Sequence, residues 1–192
     1  QRSYIQDYVD DFESALQARD PNYTDYIDLE SFAHFFLLNE MVGNMDAYRI
    51  STFMHKPRGG KLRMGPIWDL NIGYGRDNRV PQTDWVANYN VYIQGDAWSI
   101  PFWWDALLED PQFRSVTKEL WQEYRKGVLS DNAVLGKVQE TRDLLKNTGA
   151  YSRNYQRWKP DQGSIDYEAA VDQLASYLDR RMAWMDGVIN QW

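Results

Sequence analysis

The segment from Asp28 to Gly43 constrains this chain more than any other. Phe32, Phe35, Phe36, Leu38 and Val42 make a strongly buried helix over residues 29–42. Asp28 is placed to cap its N-terminus, and Glu30 in the first turn favours the helix dipole. Gly43 is placed at the C-cap, where a left-handed residue commonly ends a helix. Everything else in the fold has to cover this element.

The covering pieces are mostly helical. Ile5, Tyr8, Val9, Phe12 and Leu16 share one helical face. That helix stops before Asp20-Pro21, because proline disfavours helix at the residue before it. A short aromatic helix is expected from Pro101 to Leu108. Asp110-Pro111 starts another, with Phe113, Val116, Leu120 and Tyr124 as its stripe. Ser130 caps a helix carrying Val134, Val138, Thr141 and Leu145, closed by Asn147-Thr148-Gly149. Residues 151–163 read as a linker. Ser164 is expected to cap a last helix with Asp166 and Glu168 in its first turn, burying Val171, Leu174, Leu178, Met185 and Ile189.

One stretch changes period. Residues 50–55 are rich in β-branched and aromatic side chains, residues 56–60 are turn chemistry, and residues 61–65 alternate. This predicts a β-hairpin that ends at Pro66. Residues 76–99 are irregular, and a loop of that length is functional or a packed insertion. The fold class is therefore α+β and predominantly helical. Residues 1–192 read as one domain or one large piece of a domain.

Charge and composition narrow the function classes. The net charge of −7 disfavours a nucleic-acid partner. Residues 1–46 hold ten acids and two bases, whereas residues 49–79 hold seven bases and two acids. The basic stretch suits a compact anion such as phosphate, or it is a solvated hairpin surface. There is no cysteine, which excludes disulfides, thiolate zinc sites and a cysteine nucleophile. No apolar run approaches the roughly 20 residues of a membrane-spanning helix.

Two acids flank the hairpin, Asp46 before its first strand and Asp69 after its second. Pairing of the strands should bring the two ends together. Asn71 follows Asp69 at spacing two, the same side of an extended segment. Ser51 follows Asp46 at spacing five. Protein kinases place a catalytic Asp and a magnesium-binding Asn at that spacing, with a second magnesium-binding Asp beyond a hairpin. Spacing alone leaves a simpler alternative, a capping Asp46 and a turn-forming Asp69.

The wording of the segment goes further. Asn39-Glu40, Gly43-Asn44-x-Asp46, Gly60-Lys61-Leu62 and Gly65-Pro66-Ile67-Trp68-Asp69-Leu70-Asn71, closed by Gly75, together resemble the CotH family of spore-coat-type atypical protein kinases. The segments Tyr26-Ile27-Asp28, Pro101-Phe102-Trp103-Trp104, Leu108-x-Asp110-Pro111 and Arg180-Arg181-Met182 resemble its bacteroidete branch. The resemblance implies a kinase-like C-terminal lobe with the hairpin carrying the catalytic segments. It implies Mg2+ and ATP as cofactors, a protein substrate phosphorylated on Ser or Thr, and an extracellular or cell-envelope location. It gives Asp46 the catalytic-base position, and Asp69, Asn71 and Ser51 the metal. Arg49, Lys61 and Arg63 are the candidates for nucleotide phosphates. Two positions depart from the pattern: Asn71 stands where many members have Asp, and Ser51 where kinases have Asn. A glycine-rich loop and paired lysine are not found before Asp46. The chain is therefore expected to be a C-terminal lobe, inactive in isolation, whose nucleotide-clamping lobe is missing.

Rival readings start from other residues. Trp85, Tyr89, Tyr92, Trp98, Trp103 and Trp104 form either a platform for sugar rings or the core beneath a long loop. A degenerate kinase-like or structural cell-surface protein is a further alternative. A glycosidase would need Asp46 and Asp69 about 5–9.5 Å apart, and the basic surroundings argue against a raised carboxyl pKa. His34 and His55 lack metal-ligand spacing.

Overall fold

The computed structural model describes residues 2–158 and 166–192. In chain order its elements are α1 (Arg2–Gln17), α2 (Leu29–Val42), β1 (Met54–His55), β2 (Arg63–Met64), α3 (Tyr89–Tyr92), α4 (Trp103–Glu109), α5 (Pro111–Lys126), α6 (Asp131–Asn147), α7 (Ala150–Arg157) and α8 (Tyr167–Ile189). Short 3-10 turns precede α2 and α3. The class is α+β with helices dominant, as the periodicity indicates.

Helix α2 occupies the centre. It packs against α5, α8 and β2, and ten of its residues are buried. The Asp28 carboxylate caps it by accepting from the Ser31 amide at 2.9 Å. Gly43 ends it at φ 68, its amide donating to the carbonyls of Asn39 and Glu40. Trp104 lies across Phe32, Phe35 and Phe36, and Trp85 meets Trp184 at 4.5 Å between ring centroids. Burying side chains of this size stabilises the fold by roughly 1.5–3 kcal/mol each. The expected caps Asp110 and Ser130 are also observed. Asp166 caps α8 by accepting from Ala169. The cap expected at Ser164 lies outside the described residues.

Two expectations need correction, and one pair of alternatives is resolved. The hairpin is shorter than its sequence pattern: only Met54 and His55 pair with Met64 and Arg63. Ile50 and Ser51, expected in the first strand, are a turn and a bend instead, held by hydrogen bonds from their amides to the Asp46 carbonyl. The linker expected at 151–163 begins as helix α7, which no buried residue betrays. The aromatic residues of the long loop are mainly core. Trp85, Tyr89, Trp103 and Trp104 are buried, and only Tyr92 and Trp98 of the six are exposed.

The hairpin is also anchored on its far side. Leu62 donates to the Tyr26 carbonyl and accepts from the Asp28 amide, each at 2.8 Å. This ties β2 to the N-terminal end of α2 and leaves β1 outermost.

Candidate functional site

The exit from α2 is fixed by side chains. The Asn39 amide donates to the Phe35 carbonyl at 2.9 Å. Asn44 donates to the Asn39 side chain at 3.2 Å, and its own carbonyl oxygen accepts from the Asp46 amide at 3.3 Å. These contacts give the Asn-Glu and Gly-Asn-x-Asp words their physical content: they set where Asp46 leaves the helix. Tyr48 follows at φ 70, a conformation that is an outlier for a bulky residue. It is held by a 2.9 Å hydrogen bond from its hydroxyl to Glu40 and by contact with Trp104.

Asp46 is the centre of an ionic network. Its Oδ1 accepts from Arg49 Nη2 at 2.8 Å and lies 3.6 Å from Arg79 Nη2. Its Oδ2 has no partner among the described residues. The Arg49 side chain is only 4% exposed. It also donates to the carbonyls of Met45 and Trp98, pairs with Asp96 and stacks on the Tyr89 ring. Arg79 is held by Asp77 and donates to the Tyr89 hydroxyl, which in turn donates to Asp96 at 2.7 Å. Burial pushes the Asp77 carboxyl up, but the hydrogen bonds and charge of Arg79 outweigh it and hold Asp77 below the usual value. Asp96 is held low mainly by the Trp98 amide and the Tyr89 hydroxyl.

Ser51 connects this network to the second acid. Its amide donates to the Asp46 carbonyl at 3.0 Å, and its hydroxyl lies 3.5 Å from Asp69 Oδ2, the long limit of a hydrogen bond. Asp69 is exposed and sits at φ 60. That left-handed residue breaks the extended alternation, and Asn71 already belongs to the turn that follows. The same-side argument for Asp69 and Asn71 therefore does not hold.

The remaining basic candidates lie elsewhere. Lys61 Nζ donates to the Thr24 carbonyl at 2.6 Å, and Arg63 pairs with Asp28 at 3.3 Å. Both serve the junction between the hairpin and the start of α2. A cavity of about 370 Å³ between α1 and α4 contains none of these residues. The candidate site, judged by its chemistry, is the Asp46–Ser51–Asp69 surface.

Sequence reasoning missed Asp77, Tyr89 and Asp96 as members of the network, and it read Arg79 only as charge. The Asp77-x-Arg79 spacing was a usable local signal, whereas Asp96 carries none.

The donor set has a definite capacity. Among the described residues, no group of three or more His, Cys, Asp or Glu side chains could hold a metal. Asp69 with Ser51 supplies one carboxylate and one hydroxyl. Magnesium retains several waters and is often held by one or two carboxylates plus substrate phosphates, so this pair fits an ion delivered with a nucleotide. A family model described as CotH kinase protein matches residues 1–185. No curated protein and no solved structure matches the chain.

Proposed function

The chain belongs to the CotH kinase protein family, and from that premise we propose that it forms the C-terminal lobe of a kinase. This kinase transfers the γ-phosphate of ATP to a Ser or Thr hydroxyl of a surface or extracellular protein. The carrying observation is the Ser51 bridge, with its amide on the Asp46 carbonyl and its hydroxyl 3.5 Å from Asp69. It supports a single site built from both sides of the hairpin.

In this reading Asp46 is the base. Arg49 fixes the carboxylate through Oδ1 and leaves Oδ2 to accept the proton of the substrate hydroxyl. As that proton is taken, the hydroxyl oxygen bonds to the γ-phosphorus and the bond to the ADP oxygen breaks. Asp69 and Ser51, with Asn71 from the adjoining turn, hold magnesium, which when bound neutralises charge on the phosphates. Arg49 acts as a positioning residue, because its guanidinium is already engaged by Asp46 and Asp96. Lys61 and Arg63 are left in the phosphate role only if their contacts with Thr24 and Asp28 open. A kinase also needs a glycine-rich loop and a paired lysine over the phosphates, and none of Asp46, Ser51 and Asp69 supplies them. No helix among the described residues is long and apolar enough to cross a membrane, and the envelope location rests on the family.

Calorimetric titration of Mg-ATP into the full-length protein tests the reading. Binding should require magnesium and be lost in Asp69→Ala. Magnesium-independent binding, or none in a folded protein, overturns it.

A further inference from the structure

The Arg180-Arg181 pair near the C-terminus divides its work. Arg181 is buried and bonded to Glu40 and to the carbonyls of Gln82 and Asp84. Arg180 points the other way, into an open groove of about 770 Å³ between residues 74–82 and α8. Arg76 lines the same groove from the loop side. Neither guanidinium has an ion pair or side-chain hydrogen bond among the described residues. One carboxylate, Asp172, faces them, so the groove keeps a net positive charge.

Both arginines stand on fixed backbone. Tyr74 donates to the Val42 carbonyl at 2.6 Å. Gly75 follows at φ 75, and a Cβ there would come within 2.7 Å of the Tyr177 ring. Tyr177 is a buried wedge under the groove, and burial raises its hydroxyl to about 12. On the other wall, Arg180 is held in place by its neighbour Arg181. Binding therefore has to order the side chains but not the backbone beneath them, and guanidinium forks match carboxylate and phosphate geometry. Gln82, Gln173 and Ser176 add neutral donors and acceptors along the wall. A small free anion would fill a minor part of this volume, whereas an extended chain would use its length.

We propose that this groove binds an acidic peptide segment, with Arg76 and Arg180 pairing its carboxylate or phosphoserine oxyanions and Gln82 and Gln173 bonding its backbone. The inference does not depend on phosphate transfer by the chain.

Fluorescence anisotropy with three labelled peptides of equal length tests it: one rich in Glu, one carrying phosphoserine, and one neutral with Gln and Ser. At least one anionic peptide should bind about tenfold or more tightly than the neutral one, and which of the two binds better identifies the oxyanion. Arg76→Gln and Arg180→Gln should each weaken that binding about tenfold, and together reduce it to the neutral level. Arg58→Gln, at the hairpin tip, should leave it unchanged. Both groove arginines are exposed, so the melting temperature of the variants should not move and serves as the fold control. Equal binding of the neutral peptide overturns the proposal. So does anionic binding that survives the double substitution or is abolished by Arg58→Gln.

Discussion

Arg181 grips Glu40 twice: its Nε donates to the Glu40 carbonyl at 2.8 Å and its Nη2 to the carboxylate at 2.9 Å. The two side chains are 1% and 0% exposed. The carboxylate also accepts from Tyr48 and from the amides of Val86 and Ala87. Burial pushes the Glu40 carboxyl above its ordinary value, opposed by Arg181 and by those donors. One acid therefore joins α2, the Asp46 turn, the long loop and α8. Removing one partner strands the other charge without water, which costs roughly 3–5 kcal/mol. Arg181→Met should lower unfolding free energy by about that much in urea titration. A loss below about 1 kcal/mol would show that the pair does not hold the elements together.

Gly43 carries a second constraint, at φ 68 and with the Tyr177 hydroxyl 2.2 Å from where a Cβ would sit. Gly43→Ala should therefore cost more than the ~1–2 kcal/mol of a left-handed alanine. In a Tyr177→Phe background the nearest ring atom stands at 3.3 Å, and the same substitution should cost about 1 kcal/mol less. Additive effects in this double-mutant cycle would refute the clash.

What the sequence made legible was local. The caps at Asp28, Asp110 and Ser130 each depend on one side chain and a neighbouring amide, and the one at Gly43 on a left-handed backbone that glycine favours, so residue type and spacing reveal them. Helix α7 escaped because its Tyr, Arg, Asn and Gln residues bury nothing, and an apolar period is the signal such reading relies on. Asp46 and Asp69 were legible as hairpin flanks. The left-handed turn at Asp69 was not, because Asp tolerates that conformation without any glycine to announce it. The pairing of Arg49 with Asp96 spans 47 residues and is set by the packing of the long loop, which no local pattern encodes.

Asp77 should give the stability of this protein an acid dependence. Its carboxyl is held low in the folded state, so over the acid range the unfolded chain binds the proton more readily. The stabilisation is thus fully present above the unfolded value, near pH 4, and is lost as pH falls through the folded value. Asp77→Asn should be less stable than the parent at pH 7, with the difference shrinking steadily below about pH 4. Thermal unfolding measured across that range checks it, and a difference independent of pH would mean that the Arg79 pairing contributes nothing.

Ser51 and Asp69 should separate binding from folding. Asp69 is exposed and Ser51 half-buried, and their one mutual contact is long, so Ser51→Ala should change unfolding free energy by less than about 0.5 kcal/mol, and Asp69→Ala by about 1 kcal/mol, chiefly the cost of a left-handed alanine at φ 60. Their effect on magnesium-dependent ATP binding in the full-length protein should be much larger. Asp69→Ala removes the charge at the ion and should abolish magnesium-dependent binding. Ser51→Ala removes a neutral ligand and should weaken binding about tenfold, equivalent to about 1.4 kcal/mol. Ser51→Asn restores an oxygen ligand of the type kinases use at this spacing and should recover much of that loss. If Ser51→Ala and Ser51→Asn bind Mg-ATP as the parent does, then Ser51 is only a structural link between the two sides of the hairpin.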